Sequence, residues 1–173
     1  MNHWSTLAEL NVDLHREDLP AYTRAQFGAH LRRAGVSAGF TLASAVACWR
    51  QLQPEPVAPR LALIWTSLTF SGTESMLCLT ELLEAESLPM PFQFVGSQPH
   101  VAAVYASRFL PSLAFTTTLV HCSEGQLGDL LAGLSCGQSW THLLLGEVWT
   151  PSPLQASGDR FQASWRVLAP QDR

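Results

Sequence analysis

Residues 61–68, LALIWTSL, form a continuous apolar run of strand length. A run without polar alternation predicts a strand covered on both of its faces, as in a parallel sheet flanked by helices. Two further stretches read as strands: LAFTTTLV at 113–120 is rich in strand-favouring residues, and THLLLGEVW at 141–149 reads as a buried strand. Helical patterns separate them. MLCLTELLEAE (76–86) is amphipathic, QPHVAAVYASRFL (98–110) carries Pro99 in its first turn, and EGQLGDLLAGL (124–134) precedes CGQ. The last segment, RFQASWRVLA (160–169), has strand character and follows THLLLGEVW through the loop TPSPLQASGD with no helix between. It is therefore expected to run antiparallel.

Upstream of the first apolar strand, 19–52 reads as two helices with a break around Gly35–Gly39, and QPEPVAPR (53–60) is a proline-bearing loop. SGTES (71–75) reads as a turn capping a helix, and LPMPFQF (88–94) is held extended by its prolines. Strands alternating with helices predict an α/β fold with a mixed, mostly parallel sheet and helices on both faces. The chain has 173 residues, enough for a single domain spanning 1–173 with a real core.

Charge excludes one class of function. All ten basic residues are arginines, the longest basic run is Arg32–Arg33, and the net charge is −4, which argues against nucleic-acid binding. The four cysteines, at 48, 78, 122 and 136, form no C-x-x-C pair and no zinc spacing. The histidines at 3, 15, 30, 100, 121 and 142 show no metal-ligand spacing, and no glycine-rich phosphate loop is present. No cofactor or metal is expected. The N-terminus lacks the pattern of a signal peptide, and no apolar stretch spans a bilayer, so a reduced, cytoplasmic protein is expected.

Cys122 is the candidate nucleophile. It falls at the bend between a predicted strand and a predicted helix. A thiol at a helix N-terminus feels the positive end of the macrodipole, which favours a nucleophilic thiolate. The alternative is a small thiol near a turn. His121 adjoins it in sequence without thereby meeting the sulfur, and Glu124 suits the dipole of the first helical turn. FSGTES lacks the G-x-S-x-G pattern of a nucleophile elbow. Phe92 and Phe94 share one side of an extended segment, where they either plug the core or line an apolar channel or dimer seam.

The order of these motifs resembles the N-terminal half of the β-ketoacyl-ACP synthases, a thiolase-like family. LALIWTSLTFSGTES is similar to the second strand and its glycine turn. PMPFQFVGSQPHVAAVYASRFLPSL resembles the helix leading into the next strand, THLLLGEV a following strand, and FQASWRVLA the strand that closes the half-domain. WSTLAEL (4–10) is the candidate for the first strand. The resemblance is strongest to short chain length factor-like proteins of aryl polyene and polyketide pathways.

That resemblance implies a thiolase-like half-domain with five strands. It places the family's cysteine between the strand LAFTTTLV and the helix GQLGDLLAGL. Counted forward from Pro111 the position falls at about Leu119, and counted back from Gly137 at about Val120, so Cys122 lies two or three residues late. The family also uses two residues, usually histidines, from a C-terminal half, and counterparts of these are not expected in residues 1–173. Donors aimed at a developing oxyanion supply much of such catalysis. The expectation is a non-catalytic subunit that pairs as a heterodimer with a full-length ketosynthase, meets acyl carrier protein only indirectly, and shapes the partner's acyl tunnel. The strand LAFTTTLV would lie at the dimer seam, with Phe115 and Thr117 as interface residues beside Phe92 and Phe94. The alternative is a small thiol acyltransferase or thioesterase using Cys122.

Overall fold

The computed structural model describes residues 4–28, 31, 35–52, 56, 58–67, 83–84, 100–110, 113–119, 122–135, 140–151 and 159–170. Among these residues five strands make one sheet. They are β1 (Trp4–His15), β2 (Leu61–Ser67), β3 (Leu113–Leu119), β4 (His142–Trp149) and β5 (Arg160–Pro170), in the spatial order β1-β5-β4-β2-β3. β2 pairs in parallel with both β3 and β4, while β5 runs antiparallel to β4 and to β1. Only β5 therefore runs against the others. The expected antiparallel closing strand is present, and β3 and β1 are the outermost of the described strands.

Burial on both faces explains the apolar run of β2. Leu61, Leu63 and Trp65 join the larger core cluster, and Ala62 and Ile64 join the smaller one. The larger cluster is filled by α1 (Leu19–Phe27), α2 (Val36–Trp49) and α3 (His100–Ala106) on one face of the sheet. The smaller cluster is covered by α4 (Glu124–Ser135) through Leu127, Leu130 and Leu131 on the other. Helices thus lie on both faces, as expected for the α/β fold.

β1 is longer than the candidate WSTLAEL, extending to His15. The residues from Ala8 to His15 alternate apolar and polar, which suits a strand with one wet face. Ala8, Leu10 and Leu14 pack against the larger cluster and Val12 belongs to it, while Glu9, Asn11 and Asp13 are exposed. A register shift between Thr6 and Ala8 interrupts the pairing with β5 near the start of the strand. The break between the first two helices also lies earlier than the glycines at 35 and 39 predict. α1 ends at Gly28, whose φ of 69° suits a glycine C-cap, and its N–H donates to the Arg24 carbonyl at 2.8 Å. Gly39 sits inside α2.

α2 is buried nearly all round. Its hydroxyls must therefore find partners within the fold. Thr41 Oγ1 donates to the Ser37 carbonyl at 2.8 Å, and Ser44 Oγ to the Phe40 carbonyl at 2.9 Å. The indole N–H of Trp165, on β5, donates to Ser44 Oγ at 2.8 Å and ties the helix to the sheet. Of the predicted helix 76–86 only Leu83 and Glu84 are described, and both are helical; the SGTES turn and the LPMPFQF segment lie outside the described residues.

Candidate functional site

The parallel strands β2, β3 and β4 all point their carboxyl ends to one side of the sheet. In open α/β sheets that side is where ligands gather, because the loops there lead to helices on opposite faces. α4, which follows β3, lies across the smaller core cluster, whereas α3, which precedes β3, packs with the larger one. A cleft of about 590 Å³ opens at this side. Thr66 of β2, Glu147 and Trp149 of β4, Asn11 and Asp13 of β1, Gln162 and Ser164 of β5, and Cys122 line it.

Cys122 stands between β3 and α4, at the predicted bend, and is half-buried. Ser123, the next residue, caps the helix. The Gln126 N–H donates to Ser123 Oγ at 3.3 Å, and the Ser123 N–H donates to Gln126 Oε1 at 2.9 Å. This reciprocal pair is a capping box, and the S-x-x-Q spacing at 123–126 is the sequence signal for it. The Leu127 N–H donates to the Ser123 carbonyl at 2.9 Å as the first turn closes. Cys122 therefore precedes the N-cap rather than occupying it. Its Sγ lies 3.5 Å from the Ser123 carbonyl oxygen, a backbone acceptor and not a base. Among the described residues the cleft is lined by no histidine.

The β1–β5 wall of the cleft is held by a charged clamp. Arg160 Nε donates to Asp13 Oδ1 and its terminal nitrogen to Oδ2, both at 2.9 Å, and Gln162 Nε2 donates to Oδ2 at 3.2 Å. The forked Arg160 bond holds the Asp13 carboxyl below the usual aspartate range. None of these three residues was singled out by sequence. The polar positions of β1 become visible through their alternation, but their partners depend on the antiparallel register, in which Asp13 faces Gln162.

Of the other residues singled out by sequence, Phe115 and Thr117 lie on β3, half-buried and on one face by the two-residue repeat of a strand. The Phe115 ring lies 5.9 Å from that of Trp140, at an interplanar angle of 57°, and packs with the smaller core cluster. Neither lines the cleft. Leu119, the position to which the forward count leads, is the last residue of β3 and packs with the same cluster. Val120, His121, Phe92 and Phe94 lie outside the described residues. Cys48 is wholly buried on α2, and burial pushes its thiol up to about 12, which leaves it protonated. Among the described residues no three His, Cys, Asp or Glu side chains gather as a metal site, and no helix is long and apolar enough to cross a membrane.

No family model matches the chain, and no curated protein matches it in sequence. Solved structures do match. The ketosynthase ApeO in complex with its chain length factor ApeC, from Xenorhabdus doucetiae, aligns over 99% of this chain and 80% of the matched one, with a TM-score of 0.66 at 13% identity. The ishigamide ketosynthase/chain length factor aligns over 96% of this chain and 62% of the matched one, with a TM-score of 0.65 at 12% identity. The complex AntDE:AntF, a type II polyketide synthase acyl-carrier protein with its ketosynthase bound to the hexaketide, aligns over 99% and 63%, with a TM-score of 0.67 at 12% identity. The chain thus spans less than two thirds of the latter two matched chains and most of the first. At these identities the likeness is one of fold: the chain has the α/β fold found in ketosynthase and chain length factor structures.

Proposed function

We propose that this protein is a non-catalytic, chain length factor-like subunit that pairs with an active, full-length β-ketoacyl-ACP synthase and shapes its acyl tunnel. The setting is polyketide, aryl polyene or fatty-acid-like biosynthesis in the cytoplasm. Acyl carrier protein meets the complex through the partner. The observation that carries this reading is the fold likeness to ketosynthase–chain length factor complexes over nearly the whole chain, reaching 80% of one matched chain.

Two features of the chain support it. Among the described strands β3 is outermost, it carries no charged residue, and its side chains other than Ala114 are half-buried. An uncharged edge offers unpaired N–H and C=O groups to a partner strand, and natural proteins cover such edges. The position reached by the forward count is the apolar Leu119, which has no nucleophilic atom. In this reading Phe115 and Thr117 belong to the seam, and Phe92 and Phe94 to the seam or the acyl channel.

The second reading is a small thiol acyltransferase or thioesterase. It is favoured by the place of Cys122 on the wall of the cleft at the carboxyl ends of the parallel strands. It lacks a base beside the sulfur among the described residues, and a thiol nucleophile ordinarily works with one. Co-purification with a full-length ketosynthase from the same genome separates the two. A stable heterodimer that condenses acyl chains supports the first. A monomer that hydrolyses or transfers acyl thioesters, and loses this on Cys122→Ala, supports the second.

A further inference from the structure

We draw no further inference here: the strongest candidate, the cleft at the carboxyl ends of the parallel strands with Cys122 on its wall, belongs to the candidate site already described and holds a lone thiol with no second group that points to a ligand.

Discussion

Gly146 and Trp165 face each other across β4 and β5, and the Trp165 ring fills the space that a side chain at residue 146 would need. The indole is wholly buried, and its N–H is spoken for by Ser44 on α2. Three elements therefore meet through one side chain. Gly146→Ala should force the ring or the strand to shift. Overpacking of a well-filled core typically costs about 1–3 kcal/mol. A thermal or denaturant melt of the variant should show that loss. An unchanged melt would mean that the ring has room to move.

Ser44→Ala tests the other end of the same contact. It removes the acceptor of the Trp165 N–H and leaves a buried donor without a partner. Such a group costs roughly 1–3 kcal/mol. Trp165→Phe in the Ser44→Ala background removes the stranded donor as well. The two changes should therefore cost less together than the sum of each alone. Strict additivity in the double-mutant cycle would contradict the hydrogen bond's role.

His142 supplies a pH dependence. It begins β4, with its ring 5.5 Å from Trp49 and Nδ1 3.0 Å from Thr141 Oγ1. Burial lowers its pKa below the ordinary histidine value. The folded state thus binds its proton less readily than the unfolded state does. Neutral His142 contributes stability above the unfolded value of about 6.5, and that contribution is lost as pH falls toward the folded value. The melting temperature of wild type should drop more steeply between pH 7 and pH 5 than that of His142→Gln. Parallel slopes would contradict the assignment.

Cys122→Ala should leave the condensing activity of the complex with a ketosynthase within a few fold of wild type. Its sulfur is near a backbone carbonyl and precedes the helix cap. Deleting a true nucleophile removes the covalent route altogether. A loss of several orders of magnitude in the purified complex would overturn the non-catalytic assignment.

The sequence is most informative where burial writes itself into residue type. β2 is apolar from Leu61 to Trp65 because both faces are covered, and Leu143 to Leu145 of β4 are apolar for the same reason, which makes their parallel arrangement legible. β1 is harder to read. Leu7 is exposed and falls at the register shift, so the regular alternation starts only at Ala8. The bend at Cys122 is legible as a strand-to-helix junction, and Ser123 and Gln126 mark the cap. The clamp of Asp13, Arg160 and Gln162 is not legible, because it joins residues nearly the whole chain apart through a register that only folding sets. The same holds for Gly146 and Trp165. Nothing local to either residue announces that an indole will lie over a glycine.

The central claim is tested most directly by co-expressing the chain with a full-length ketosynthase from the same genome and measuring the mass and product of what co-purifies. A one-to-one heterodimer that extends acyl chains is predicted. Thr117→Pro should abolish it, because proline removes a backbone donor from β3, the outermost described strand on that side, and distorts it. A melt of the variant alone must show that the chain still folds. Should that variant prove unfolded, Thr117→Arg on the same strand serves in its place, since a charge set into an apolar seam disfavours pairing. A chain that stays monomeric or pairs only with itself, and leaves the ketosynthase's products unchanged, would contradict the account.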